Sequence, residues 1–265
     1  MNLTEEISPA QSSVDASSCV PHSLSLALGW ILTPIYLILF IGFLCFYHIL
    51  QVFARAISYR AHQWTVHALN FTMQHLLRIV GTTFLYDIQS KIPQDGPVIV
   101  IANHQSMYDI PILHNLFWRL HPKFIAKKEL ARGIPSISYQ LRNGGCAIID
   151  RSKPSQALPE IRRFAQYISD NKFAACIFPE GTRAKDGIMK PFKLRGLQTL
   201  IEKAPDAVIV PVVISGTWEL LRYKFRPMPF GIRVRIKVLA PLDRSSKTAL
   251  EIARLAESTI KSNLI

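Results

Sequence analysis

The chain has 265 residues, 31 Lys/Arg against 18 Asp/Glu, and four cysteines, a length that suits one good-sized domain plus an appendage. The first 60 residues hold two basic residues (Arg55, Arg60) and three acids, so the rest carries 29 against 15; a domain that basic meets phosphate, in nucleic acid or on an anionic membrane surface, and charge alone does not choose between them. Cys19, Cys45, Cys146 and Cys176 form no C-x-x-C pair, which argues against a zinc site or a disulfide scaffold and fits a reducing compartment.

Residues 1–22 read as a disordered tail. From Ala16 to Ala54 there is no Asp, Glu, Lys or Arg, and the stretch from Leu24 onward is densely apolar. As a helix that stretch runs roughly 45 Å, more than the core of a bilayer needs. The absence of any Lys or Arg before it, and its length, speak against a cleavable signal peptide. It therefore reads as an anchor, with Pro34 as a candidate kink or re-entrant bend. Arg55 and Arg60 follow at once, which puts the C-terminal end of the anchor in the cytoplasm. Residues 59–80 read as a second helix, lying on the membrane or folded back on the first. Its histidines, His62, His67 and His75, are expected on a polar face rather than around a metal. Residues 23–80 thus form a membrane-embedded helical anchor of one or two helices, and residues 81–265 a second unit.

After Gly81 the pattern alternates. Strands are expected at Phe84–Ile88, Val98–Ala102, Lys123–Ala126, Ala147–Ile149, Ala174–Phe178, Val208–Ile214 and Arg233–Val238. Helices are expected near 107–119, 135–142, 154–169, 194–204 and 247–262. This alternation implies an α/β fold with a mostly parallel sheet covered by helices. In such sheets the chemistry collects where strand ends pass into loops.

Three of those loops are unusual. Val98–Ala102 leads into Asn103-His104-Gln105-Ser106-Met107-Tyr108-Asp109. A strand-to-helix turn brings His104 and Asp109 together, so that Asp109 holds one ring nitrogen and the other serves as a general base. Ser106 and Asp109 also fit a helix capping box, and the spacing by itself is a weak signal. Next, Gly144 to Arg151 joins a glycine turn to a short strand and a charged exit; Arg151 there reaches an anion, pairs with Asp150 or sits in solvent. Last, Phe178-Pro179-Glu180-Gly181-Thr182-Arg183 ends a buried strand on a guanidinium, the fork that matches phosphate, and Lys190, Lys193 and Arg195 follow.

Together these residues resemble the glycerolipid acyltransferase family, most closely the bacterial 1-acyl-glycerol-3-phosphate acyltransferases. Four blocks occur in the family's order: the H-x4-D run 103–109, the run 144–151, the F-P-E-G-T-R run 178–183, and Val208-Ile209-Val210-Pro211-Val212-Val213. The resemblance implies that His104 is the catalytic base and Asp109 its orienting partner. It places Glu180, Gly181, Thr182 and Arg183 in the acceptor site, with Arg183 on the phosphate. Lys127, Arg151 and Lys193 are further expected contacts. The implied partners are an acyl-CoA or acyl carrier protein donor, a lysophosphatidate acceptor and membrane lipids, with no nucleic acid, no cofactor and no metal. The implied location is the bacterial inner membrane, with the domain on its cytoplasmic face. The rivals are another acceptor within the family, and a non-catalytic membrane-tethered module; a hydrolase lacks the G-x-S-x-G nucleophile.

Overall fold

A computed structural model describes residues 20–264. Helix α1 (His22–Ile57) is 36 residues long, about 54 Å at ~1.5 Å per residue, against a bilayer core of ~30 Å. It is long and apolar enough to cross a membrane, and it runs unbroken through Pro34. The expected tail falls almost wholly on residues outside those described, and the helix already includes His22. Ser58 ends α1 in an extended conformation and caps α2 (Tyr59–Leu76), its hydroxyl accepting the Ala61 N–H at 3.0 Å. One non-helical residue therefore suffices to fold α2 back on α1. Leu44 packs on Leu69 and Met73 between them, and the Tyr47 and Thr72 hydroxyls lie 2.9 Å apart.

The histidines of α2 do not behave as one polar face. His62 is fully buried, edge-on to Tyr139, and His67 stacks on Trp118 and on His114. They fill the joint between α2 and the rest of the chain, where an imidazole has both the area and the flat shape to pack on rings. A 3₁₀ turn, Leu77–Val80, closes on Gly81 at φ 69°.

The remainder is a seven-stranded sheet in the order β1-β7-β6-β2-β5-β3-β4. Its strands are β1 (Thr83–Ile88), β2 (Val98–Ala102), β3 (Lys123–Lys127), β4 (Ala147–Ile149), β5 (Ala174–Ile177), β6 (Val208–Ser215) and β7 (Arg233–Val238). The helices are α3 (Asp109–Leu116), α4 (Ile137–Asn143), α5 (Pro154–Asn171), α6 (Leu194–Lys203) and α7 (Ala249–Ser262). Neighbouring strands pair in parallel except β6 with β7, so the expected α/β class with a mostly parallel sheet holds, and the expected strands are found within a residue of their ends. Central β2 shows why: Ile99 and Ile101 pack with α5–α7, while Val98, Val100 and Ala102 pack with α3 and with Tyr36 of α1. A strand covered on both faces needs a continuous apolar run rather than alternation.

One cation is buried in this joint. Lys123, 1% exposed, donates from Nζ to Gln63 Oε1 at 2.6 Å and lies 4.9 Å from the centroid of the Phe173 ring. It ties α2 to the start of β3.

Candidate active site

Helix α3 begins at Asp109, and His104 sits in the loop between β2 and α3. His104 Nδ1 is 2.7 Å from Asp109 Oδ2. The same oxygen accepts the backbone N–H groups of Gln105 (2.7 Å) and Ser106 (2.8 Å). Oδ1 accepts the Thr217 hydroxyl at 2.5 Å. Asp109 thus does both jobs that the spacing left open: it shapes the loop and it holds the imidazole. Asp109 and Thr217 are wholly buried, and His104 stacks flat on Phe178 at 4.0 Å between ring centroids. With Nδ1 committed to a carboxylate, the tautomer leaves Nε2 as the basic nitrogen.

The loop is clamped from three sides. Asn103 exchanges two 2.8 Å hydrogen bonds with the backbone of Ile214 in β6. The His104 carbonyl accepts the Ala184 N–H at 2.7 Å. Glu180 Oε1 accepts the His104 N–H at 2.6 Å, while its Oε2 accepts the Lys190 N–H at 2.8 Å. Burial raises the Glu180 carboxyl above its usual range, and the two backbone N–H groups oppose that rise. Both of its oxygens are therefore committed to backbone beside the dyad.

Two glycines make the clamp possible. Gly181 adopts φ 69°, and a Cβ there would come within 3.1 Å of the Lys193 side chain. Gly216 adopts φ 92° just before Thr217, where a Cβ would meet the Arg233 carbonyl at 2.4 Å. Both backbone conformations favour glycine.

Of the expected phosphate contacts, Arg151, Arg183 and Lys193 gather around the 178–183 turn. Arg151, half-buried, donates to the Gly181 carbonyl. Its guanidinium is held below its ordinary value by burial first and then by the like charge of Arg183. Asp150 does not neutralise it; that carboxylate takes Lys128 at 2.6 Å and Ser152 instead. Lys127 stands apart, exposed at the end of β3 and paired with Glu129 at 3.3 Å. Thr182 is exposed on the turn. Among the described residues no group of three His, Cys, Asp or Glu is arranged to hold a metal.

Sequence reasoning missed Thr217, the link from Tyr36 of α1 to Tyr108 beside Asp109 (2.7 Å between hydroxyls), and the tie between Lys123 and Gln63. Thr217 was within reach, because it follows the end of β6 by two residues, where strand ends gather the chemistry.

A buried His–Asp pair lies at the strand ends of a mostly parallel α/β sheet, with Arg151, Arg183 and Lys193 beside it and, among the described residues, no carboxylate in an ion pair with any of the three; this is the arrangement of enzymes that draw a proton from an anionic substrate. The comparisons narrow that class. The acyltransferase family model matches residues 84–215. The 1-acyl-sn-glycerol-3-phosphate acyltransferase alpha of Mus musculus is 31% identical over 196 residues, 71% of this chain and 67% of the mouse protein. The 1-acyl-sn-glycerol-3-phosphate acyltransferase of Saccharomyces cerevisiae is 33% identical over 166 residues, 61% of this chain. The match spans about half, 52%, of the yeast protein's length. The crystal structure of the 1-acyl-sn-glycerophosphate acyltransferase of Thermotoga maritima superimposes with a TM-score of 0.71, at 24% identity, over 89% of this chain and 95% of that one, and so shares the fold. The chain belongs to the acyltransferase family.

Proposed function

We propose that this protein transfers a fatty acyl group from a thioester, acyl-CoA or acyl carrier protein, to the sn-2 hydroxyl of 1-acyl-glycerol 3-phosphate, giving phosphatidate and free thiol. The observation that carries the chemistry is the 2.7 Å contact between His104 Nδ1 and the fully buried Asp109, which leaves Nε2 as the base. Nε2 takes the proton of the acceptor hydroxyl as its oxygen attacks the thioester carbonyl. The tetrahedral intermediate then expels the thiolate, which takes the proton back from the imidazolium. Oxygen–carbon forms, carbon–sulfur breaks, and the proton ends on sulfur. The Asp109 carboxylate faces the transient imidazolium and stabilises it, and Thr217 keeps that carboxylate turned toward the ring. A positioned base of this kind is worth about 10² to 10⁴ in rate.

Transfer is direct in this scheme, with no acyl-enzyme. Arg183 binds the acceptor phosphate, with Arg151 and Lys193 beside it and Gly181 and Thr182 forming the turn beneath. Lys127 contributes from the end of β3. Glu180 supports this site from behind, by holding the backbone of His104.

Residues 23–80 serve as the anchor and 81–265 as the acyltransferase domain, facing the cytoplasm at a bacterial inner membrane. Arg55 and Arg60 after the apolar helix support that orientation. Membrane lipids surround the anchor and deliver a lipid acceptor.

The acceptor is tested by comparing candidates one at a time. Detergent-purified protein receives labelled acyl-CoA with lysophosphatidate, glycerol 3-phosphate, lyso-ornithine lipid or monoacylglycerol in separate reactions. Phosphatidate from lysophosphatidate at the highest kcat/KM is expected. Faster transfer to an acceptor lacking phosphate rejects the assigned acceptor while keeping the reaction class.

A further inference from the structure

A groove of about 750 Å³ lies between α2, the first residues of β1 and the end of α3. That volume falls in the range of about 300–1,000 Å³ usual for ligand sites. Its apolar walls are Phe71, Phe84, Tyr86, Leu116 and Trp118, with Arg78 at one end. Neither member of the dyad and none of the cations around the 178–183 turn lines it.

Three features give it the character of a built site. Its floor is fixed: Gln74 Nε2 donates to the Tyr86 hydroxyl at 2.5 Å, and Asn115 Nδ2 donates to Gln74 Oε1 at 2.6 Å. A hydrogen-bonded floor keeps a cleft open that apolar walls alone would close. Its length suits a chain, since His67 to Arg78 spans about 16 Å at ~1.5 Å per residue. Its charge is free, because among the described residues no carboxylate pairs with Arg78. The helix that forms its wall packs its other face on α1, whose side chains Ile31, Ile38, Phe53 and Ile57 are largely exposed. Trp64 and Phe71 extend that apolar exposure along α2 to the groove. Aromatic rings beside a cation are the composition of a membrane–water interface.

We infer that this groove binds an anionic membrane phospholipid, one acyl chain lying along the aromatic wall and the phosphate on Arg78, at a site separate from the catalytic one. The inference does not depend on which group the enzyme transfers.

The test is native mass spectrometry of the full-length protein in neutral detergent, titrated with dioleoyl-phosphatidylglycerol or dioleoyl-phosphatidylcholine. Saturable retention of one phosphatidylglycerol is expected, with phosphatidylcholine weaker. Arg78→Ala should weaken phosphatidylglycerol binding about 5-fold, as one interfacial cation does. Phe71→Ser should weaken both lipids. Both side chains are exposed, so folding is expected to survive, and an unchanged melting temperature checks it. Acyl transfer in neutral micelles should stay at the wild-type rate in both variants. Equal retention of the two lipids by wild type, unsaturable retention, or variants that bind as wild type each overturns the assignment. Loss of acyl transfer in step with loss of lipid overturns the separation from the catalytic site.

Discussion

Replacing Glu180 by Gln distinguishes a carboxylate that holds the catalytic loop from one that touches the acceptor. The side chain is 2% exposed, and its two oxygens accept the backbone N–H groups of His104 and Lys190. An amide keeps one acceptor and turns an NH₂ toward the other N–H. The charge-assisted hydrogen bond lost is worth about 1.5–3 kcal/mol, and the donor left facing it costs about 1–3 kcal/mol more. Taking the lower part of each range gives ~3 kcal/mol. For a domain of this size that lowers the melting temperature by about 6–12 °C. The loop carrying His104 relaxes as well, and a base displaced by about 1 Å costs on the order of 10² in rate. The assay is acyl transfer with varied lysophosphatidate, alongside thermal unfolding in the same detergent. A fall in both kcat and melting temperature, with KM within about twofold of wild type, is expected. An unchanged melting temperature with a tenfold rise in KM would refute the reasoning, because Glu180 would then be an acceptor contact.

Three further expectations rest on single contacts. Thr217→Val removes the hydroxyl that donates to Asp109 Oδ1 at 2.5 Å; kcat/KM should drop about tenfold, Thr217→Ser should restore it, and a Thr217→Val enzyme as active as wild type would refute the contact's role. Tyr36→Phe deletes the hydroxyl partner of buried Tyr108, so about 1–2 kcal/mol of stability should go; a variant as stable as wild type would show that the contact does not tie α1 to the catalytic loop. Lys123 has its ammonium pushed down to about 8, from 10.5, by burial. Below pH 8 folded and unfolded chains both hold the proton, and the cost of burying it is full. Between about 8 and 10.5 the unfolded chain holds more protons, so stability rises with pH. Melting curves at pH 8 and pH 10 should show that rise in wild type and lose it in Lys123→Met; equal slopes in the two proteins would contradict it.

Much of the fold was legible because the strands are buried on both faces. Val98–Ala102 and Ala174–Ile177 read as unbroken apolar runs, and glycine and charged turns punctuate them. The H-x4-D spacing was legible for a similar reason, since one strand end and one helix start are enough to join His104 to Asp109. What stayed hidden depends on contacts between segments distant in sequence. Thr217 lies 108 positions from Asp109, Tyr36 lies 72 from Tyr108, and Lys123 lies 60 from Gln63; the strand order joins the first pair, and the docking of α1 and α2 on the sheet joins the other two. Glu180 shows the converse. Its motif was evident, yet both of its oxygens are taken by backbone N–H groups, which no spacing reveals. The histidines of α2 misled because a polar residue type was read as a polar face, whereas His62 and His67 pack on aromatic rings.

The most direct test of the account is acyl transfer from labelled acyl-CoA to lysophosphatidate by purified wild type and His104→Ala, with folding of the variant checked by its melting temperature. Phosphatidate from wild type and a rate at least about 10²-fold lower in a folded variant is the predicted result. Equal rates in the two proteins would contradict the assignment of His104 as the base.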